Sequence, residues 1–410
     1  MNRNRVNKKR MGGARVLSRA AAGMLAAALC FQPMTALAGP AGDSSLTSSS
    51  SNAGPGGGSG SSNSGSTGSS GGSTSVSNGS VSAVTSGLGV YRVTENEGIG
   101  AIARGVDVSY WQQNVNWSQV ASDNVQFAML ATRFRGNVDP FFAINAANAS
   151  QAGLRLGAYI YSYATSVEMA QQEADFVLNL IKDYPISFPV VFDAEDANTL
   201  GTLTQSQVSD VINAFCKRIQ DAGYYPMVYA NEYWIANKID MSKISYDIWV
   251  AKYQQKYTYS KTSMWQASNT GSVKGVNGNV DIDYLYKDYT QIIPGNTWRT
   301  IAGNRYYYQN HVMQKAAWIN DGQNWYYMNA AGNPSTGWLE LSGKKYYLEA
   351  DGHMITGWKT LDGGWRYFDA SGEQATGWRA VDGSWYFMAD NGLMQTGWLE
   401  TGGKKYYLNA

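Results

Sequence analysis

The chain has 410 residues, with 32 Lys and Arg against 31 Asp and Glu, so its formal net charge is +1. That balance leaves no electrostatic footprint for nucleic acid or an anionic membrane surface, and the length has room for two or three domains. Two histidines, His311 and His353, both lie in a repetitive C-terminal part. A Cys–His or Ser–His catalytic pair, or a His-rich zinc site, is therefore excluded from the rest of the chain.

The first twenty residues carry seven basic side chains (Arg3, Arg5, Lys8, Lys9, Arg10, Arg15, Arg19) and no acid. An apolar run, AAAGMLAAALCF, and then Ala36-Leu37-Ala38 complete the pattern of a secretory signal over 1–38, too short in its apolar part to anchor in a membrane. Cys30 follows Leu29 where a lipoprotein signal needs a small residue, so no lipid anchor is expected. The protein is expected to be secreted, with no membrane span. Residues 39–96 are dominated by Gly, Ser, Asn, Thr and Ala, which cannot bury enough apolar surface to fold and predict a disordered linker.

From 97 to 290, strand-like and helix-like segments alternate. RGVDVS (104–109), FAMLAT (127–132), LGAYIYSYA (156–164), PVVFDAE (189–195) and YPMVYA (225–230) are short apolar runs separated by helical patterns. One helix is announced by the capping-box letters Thr204-x-x-Gln207. DIWVAKY, SMWQAS and NVDIDYLY follow with little room for helices. The prediction is an α/β fold, an irregular TIM-like (β/α)5(β)3 barrel. Cys216, in the apolar helical stretch VINAFCKRI, reads as a buried, inert thiol.

Barrel active sites lie at the C-terminal strand ends. There the sequence places Asp107 on strand one, Tyr161 and Tyr163 on strand three, Asp193 and Glu195 on strand four, and Tyr229 on strand five. Trp265 and Gln266 fall on strand seven and Asp281 on strand eight. Within FDAED, residues two apart share a strand face, so Asp193 and Glu195 point the same way, about 6–7 Å apart by Cα. Asp196 reads as a loop residue, solvated or turn-forming, and Asp283 as part of the loop or outer face. Paired carboxylates under aromatic walls suit glycosidic cleavage: an acid whose pKa is raised protonates the leaving oxygen while another carboxylate supports the oxocarbenium. This chemistry calls for no metal and no cofactor.

GVDVSYWQ, the DPFF-x-x-N segment (Asp139 to Asn145), GLRLGAYIYSYA, VVFDAED, MWQAS and GVNGNVDID together resemble glycoside hydrolase family 25. These are secreted lysozymes that cut between N-acetylmuramic acid and N-acetylglucosamine. The resemblance implies Glu195 as general acid and Asp193 as the group that orients the 2-acetamido function. It gives Asp107 and Asp281 a role in electrostatics and sugar binding; Tyr161, Tyr163, Tyr229, Trp265 and Gln266, from their places at the rim, are expected to contact substrate. Strand three reads YIYSYA where many members have a Tyr-His-Phe run.

Over 291–410, Trp298, Trp318, Trp338, Trp358, Trp378 and Trp398 recur every 20 residues. Each unit, such as GWLELSGKKYYLEADGHMIT, reads as a two-stranded hairpin, and the units as a stacked β-hairpin solenoid. The array resembles choline-binding or cell-wall-binding repeats, which implies aromatic cages built on Trp325, Trp338, Trp358, Trp365, Trp378 and Trp385. At the position of Trp325, Trp365 and Trp385, other units carry Arg305, Lys345 and Lys405, and a cation there should repel choline. The expected partners are peptidoglycan and choline-bearing or other wall polymers. Two other readings stay open: a chitinase-like glycosidase, and a non-catalytic wall-binding protein. Against the first, FPVVFDAE keeps only the last D-x-E of the family 18 acid run.

Overall fold

The structure, a computed structural model, describes residues 82–93, 98–253 and 255–409. The signal segment over 1–38 and most of the linker lie outside the described residues.

Eight strands close into a barrel in chain order: β1 Ala103–Val108, β2 Phe127–Ala131, β3 Arg155–Tyr161, β4 Ile186–Asp193, β5 Pro226–Asn231, β6 Asp247–Ala251, β7 Thr262–Gly271 and β8 Val280–Leu285. Helices α1 Trp117–Ser122, α2 Phe142–Gln151, α3 Val167–Ile181, α4 Gln205–Asp221 and α5 Glu232–Asn237 follow the first five strands. β8 runs antiparallel to both its neighbours, β7 and β1, while the other pairs are parallel. The connection over 272–279 is too short for the crossover a parallel return needs, so the chain turns back on itself.

The core has two layers because the strands are buried on both faces. Phe127, Met129, Phe188, Val191, Met227 and Leu285 fill the barrel interior, while Ala128, Leu130, Val190 and Phe192 meet the helices. The interior is tight: a Cβ at Gly105 would lie 2.2 Å from the Phe127 ring. Helix α4 carries the capping box at Thr204 and Gln207 and buries Val208, Ile212, Phe215 and Ile219. Cys216 packs among them, fully buried, and burial pushes its thiol pKa up, which keeps it protonated and unreactive. No described helix is long and apolar enough to cross a membrane.

The linker expectation needs one correction. Ser82–Ser86 and Gly89–Val93 form an antiparallel hairpin. The Gly/Ser average over 39–96 hides the short alternation VYRV, whose Tyr91 is 1 % exposed in the barrel's outer core. Arg92 and Asn124 exchange two hydrogen bonds, of 2.9 and 2.6 Å, that pin the hairpin to the barrel.

The repeats form six antiparallel hairpins, each opening on its periodic Trp. Backbone bonds such as Met354 N to Trp325 O (2.7 Å) and Met394 N to Trp365 O (2.8 Å) stack each unit on the next. The first unit docks on the barrel. The guanidinium of Arg299 lies between the rings of Tyr224 (3.9 Å) and Tyr308 (4.3 Å), and Tyr308 donates to Lys182 O at 2.8 Å. Arg299 is 1 % exposed, so each cation–π contact is of the desolvated kind, worth about 2 kcal/mol.

Candidate active site

Alternation along β4 sends Val191 and Asp193 into the barrel and Val190, Phe192 and Ala194 outward. Asp193 therefore ends the strand on the wall of a cleft of about 470 Å³ at the C-terminal rim. Its Oδ1 has no hydrogen-bond partner among the described residues. Burial, then the charges of Glu195 and Asp196, push its pKa well up.

Glu195 follows just past the strand, half-buried, and is clamped by the end of β5. Its Oε1 accepts from Asn231 N (2.9 Å) and Asn231 Nδ2 (2.5 Å). Asn231 also caps α5, accepting from Trp234 N at 3.0 Å, so the clamp is part of a strand-to-helix turn. Both bonds fall on one oxygen, which leaves a proton on this carboxyl to Oε2. Burial raises the Glu195 pKa, and the Asn231 bonds offset part of that rise. Glu195 lies outside the set of side chains that line the cleft, which includes Asp193 and Asp196.

Asp107 and Asp281 face each other as register partners of β1 and β8. Gln266 Nε2 donates to Asp107 Oδ2 at 2.7 Å, and its Oε1 accepts from Tyr229 and Tyr253, each at 2.8 Å. Burial, then the charges of Asp281 and Asp283, raise Asp107 well above its usual range, and burial pushes Asp281 up to about 6. Tyr161, Tyr163 and Tyr229 line the same cleft.

Two expectations are overturned. Trp265 does not reach the cleft: it is 1 % exposed, packs on Tyr257 and Tyr284, and donates to Lys252 O at 2.8 Å. Its neighbour Gln266 takes the inner face, so strand alternation sends Trp265 outward. Asp283 is not on the outer face. It is fully buried inside the barrel, two residues from Asp281, and accepts from Trp249 Nε1 at 3.0 Å. Asp196 does form a turn, its Oδ1 accepting from Asn198 N, Thr199 N and Thr199 Oγ1. It is nonetheless buried, and Tyr161 Oη donates to its Oδ2 at 3.2 Å.

The sequence reading missed several wall residues. Trp249, Tyr159 and Tyr253 close the cleft floor and side, and Trp111, Phe134 and Arg135 form its rim. The DIWVAKY alternation, for Trp249 and Tyr253, and the Tyr159–Tyr161–Tyr163 spacing carried the signal for three of them. Arg133 bonds Glu173 at 2.6 Å and lies 4.8 Å over the Tyr163 ring, while Glu173 accepts from Tyr163 N, which fixes that tyrosine. Asp139 accepts from Tyr110 N at 2.6 Å and so shapes the loop that carries Trp111.

Among the repeats, Trp358, Trp365 and Trp385 surround a cavity of about 620 Å³ with Tyr386, Met394 and Tyr407. Trp378 stands 6.5 Å from Trp385, and Trp325 is 47 % exposed at the mouth of its own hairpin. Trp338 borders a smaller cavity, of about 330 Å³, together with Lys345, Asp362 and Arg366.

A closed barrel with clustered carboxylates in an aromatic cleft at the C-terminal strand ends is the architecture of a glycosidase. The family model described as glycosyl hydrolases family 25 matches residues 106–276. Choline-binding repeat models match 335–376 and 375–410, and a cell wall binding repeat matches 317–333. The uncharacterized protein YegX of Escherichia coli K12 is 31 % identical over 189 residues, covering 44 % of this chain and 68 % of that protein. Lysozyme M1 of Streptomyces globisporus is 30 % identical over 195 residues, covering 43 % and 66 %. Among solved structures, the cell wall endolysin from phage Cp-1 covers 75 % of this chain and 92 % of its own, at 22 % identity and a TM-score of 0.37. The chain belongs to glycosyl hydrolase family 25, and it carries C-terminal repeats of the choline-binding type.

Proposed function

We propose that the protein is an exported muramidase that cuts the β-1,4 bond between N-acetylmuramic acid and N-acetylglucosamine in peptidoglycan while its repeats hold it on the wall. The observation that carries this reading is the Asp193–Glu195 pair at the end of β4, one carboxyl on the cleft wall and the other clamped beside it.

In this reading Glu195, whose pKa burial raises, donates a proton from Oε2 to the glycosidic oxygen. Asp193 offers its unpartnered Oδ1 to the N–H of the 2-acetamido group and orients it beneath C1. Asp281, held in register beside Asp107, supplies the negative charge at neutral pH that favours an oxocarbenium over the neutral ground state, and Gln266 fixes Asp107. Tyr161 and Tyr163 provide flat surfaces for sugar rings.

Arg133 and Arg135 support muramic acid over chitin. Both line the cleft, and Arg135 is exposed at a hairpin tip. The muramic lactyl carboxylate is an anion that a cationic rim attracts, whereas chitin has no charge to offer. The aromatic cages of the repeats suit the quaternary ammonium of choline-bearing wall polymers. Export rests on the signal pattern over 1–38.

Mass analysis of fragments released from purified peptidoglycan tests the reading. Reducing-end muramic acid is expected. Reducing-end glucosamine or freed stem peptides would overturn it.

A further inference from the structure

The six repeats share a spacing rule. The periodic Trp at position i is met by residue i+28 of the next hairpin in five units, and by residue i+7 of its own hairpin at Trp298, Trp358 and Trp378. In three units all three positions are aromatic: Trp318, Trp325 and Tyr346; Trp358, Trp365 and Tyr386; Trp378, Trp385 and Tyr406. The i to i+28 ring centroids lie 5.0, 4.7 and 4.8 Å apart. Trp358 and Trp365 stand nearly perpendicular at 6.4 Å, and Trp378 and Trp385 at 6.5 Å, so each pair makes a corner open to solvent.

The other two complete sets contain an arginine, at different positions. At Trp298 the i+7 residue is Arg305, whose guanidinium carbon lies 4.2 Å from the indole centroid. At Trp338 the i+28 residue is Arg366, 4.9 Å over the indole and 6 % exposed. Tyr306, Tyr326, Tyr346, Tyr386 and Tyr406 hold that place in the remaining units. Arg366 is held from behind: it pairs with Asp362 at 3.2 Å and donates to Asn391 O, while Asp362 also accepts from Trp338 Nε1. A ring face satisfied by one cation repels a second. A tethered guanidinium, moreover, competes at an effective concentration that free ligand at millimolar levels does not match.

We propose that the array has three open cages for a trimethylammonium group, at Trp318, Trp358 and Trp378. The places at Trp298 and Trp338 are already filled by the chain's own Arg305 and Arg366. The wall ligand is thus gripped at the second, fourth and fifth units, and two places serve as internal staples between hairpins. This inference rests on the reading of the repeats as quaternary-ammonium binders.

Calorimetric titration of the full chain with choline chloride tests it. The unaltered protein should bind three cholines, and Trp358→Ala should lower the count to two. The double substitution Lys345→Trp with Arg366→Tyr, which completes the aromatic set at Trp338, should raise it to four. Arg305→Trp makes the same test at the first unit, should the double variant not fold. Five cholines on the unaltered protein, or a count of three in folded forms of both variants, overturns the inference alone. No choline bound by the unaltered protein removes the reading of the repeats as well.

Discussion

Gln266 on β7 donates to Asp107 on β1 at 2.7 Å across the top of the barrel, and the same amide receives the hydroxyls of Tyr229 and Tyr253. One side chain thereby fixes a carboxylate and two aromatic walls. Gln266→Leu has a similar volume but removes the amide that Asp107 and both hydroxyls share. Turnover on peptidoglycan should fall about 10- to 100-fold by analogy with lost supporting contacts. Gln266→Glu should be worse, because it adds a further buried carboxylate. A Leu variant with unchanged kcat would separate Gln266 from the chemistry.

Glu195→Gln keeps the shape and the Asn231 clamp but removes the proton. Turnover should drop by about 10²–10⁴ with fold and wall binding intact. In the unaltered enzyme, activity should decline only as pH rises through the raised Glu195 pKa, above the usual value of about 4.3. Asn231→Ala removes the side-chain bond that favours the charged form and keeps the backbone one, so this alkaline limb should move to higher pH. A limb that moves lower would contradict the assignment.

Asp193→Asn should impair turnover strongly while the protein stays folded, since the amide cannot accept the acetamido N–H in the same orientation. The charge of Glu195 helps to raise Asp193, and a charge on Asp193 acts back on Glu195 by the same repulsion, so the substitution should also lower the alkaline limb. Full activity with an unmoved profile would make Asp193 a bystander.

Asp281 links catalysis to stability. Its folded pKa of about 6 exceeds the usual value near 3.9, so the native state binds more protons than the unfolded state between those values. Stability is fullest below about pH 4, falls as pH rises to about 6 and is level in this term beyond it. Asp281→Asn should therefore stabilise the protein at pH 7.5 by on the order of 1–3 kcal/mol and change little at pH 4. Thermal melts at the two pH values decide the matter, and an equal shift at both would refute the linkage.

Arg135→Gln should leave the fold untouched, because the side chain is exposed at a hairpin tip. If it receives the muramic carboxylate, KM on glycan strands should rise several-fold while any slow turnover of uncharged chitooligosaccharides stays the same. Equal losses on both substrates would point to a general role of the loop.

The sequence by itself determined the order of the elements. Eight apolar runs, the capping letters at Thr204 and Gln207, and the 20-residue Trp period are local signals, and each became the expected element. It also placed Asp107, Asp193 and Tyr229 at the rim, because strand polarity in an α/β barrel sets which end is the rim, whereas Asp281, near the start of β8, reaches it because that strand runs antiparallel. Alternation tells which residues share a face, but not which face is inside when both are buried, as here. Only closure of the barrel sent Gln266 and Trp249 into the cleft and Trp265 to the outer face, against Tyr257 and Tyr284, and it buried Asp283 beside Asp281. The raised carboxyl pKa values follow from that burial and have no local cause. Arg366 shows the same limit in the repeats: one substitution in a Tyr position becomes a filled cage because stacking brings it over an indole 28 residues away.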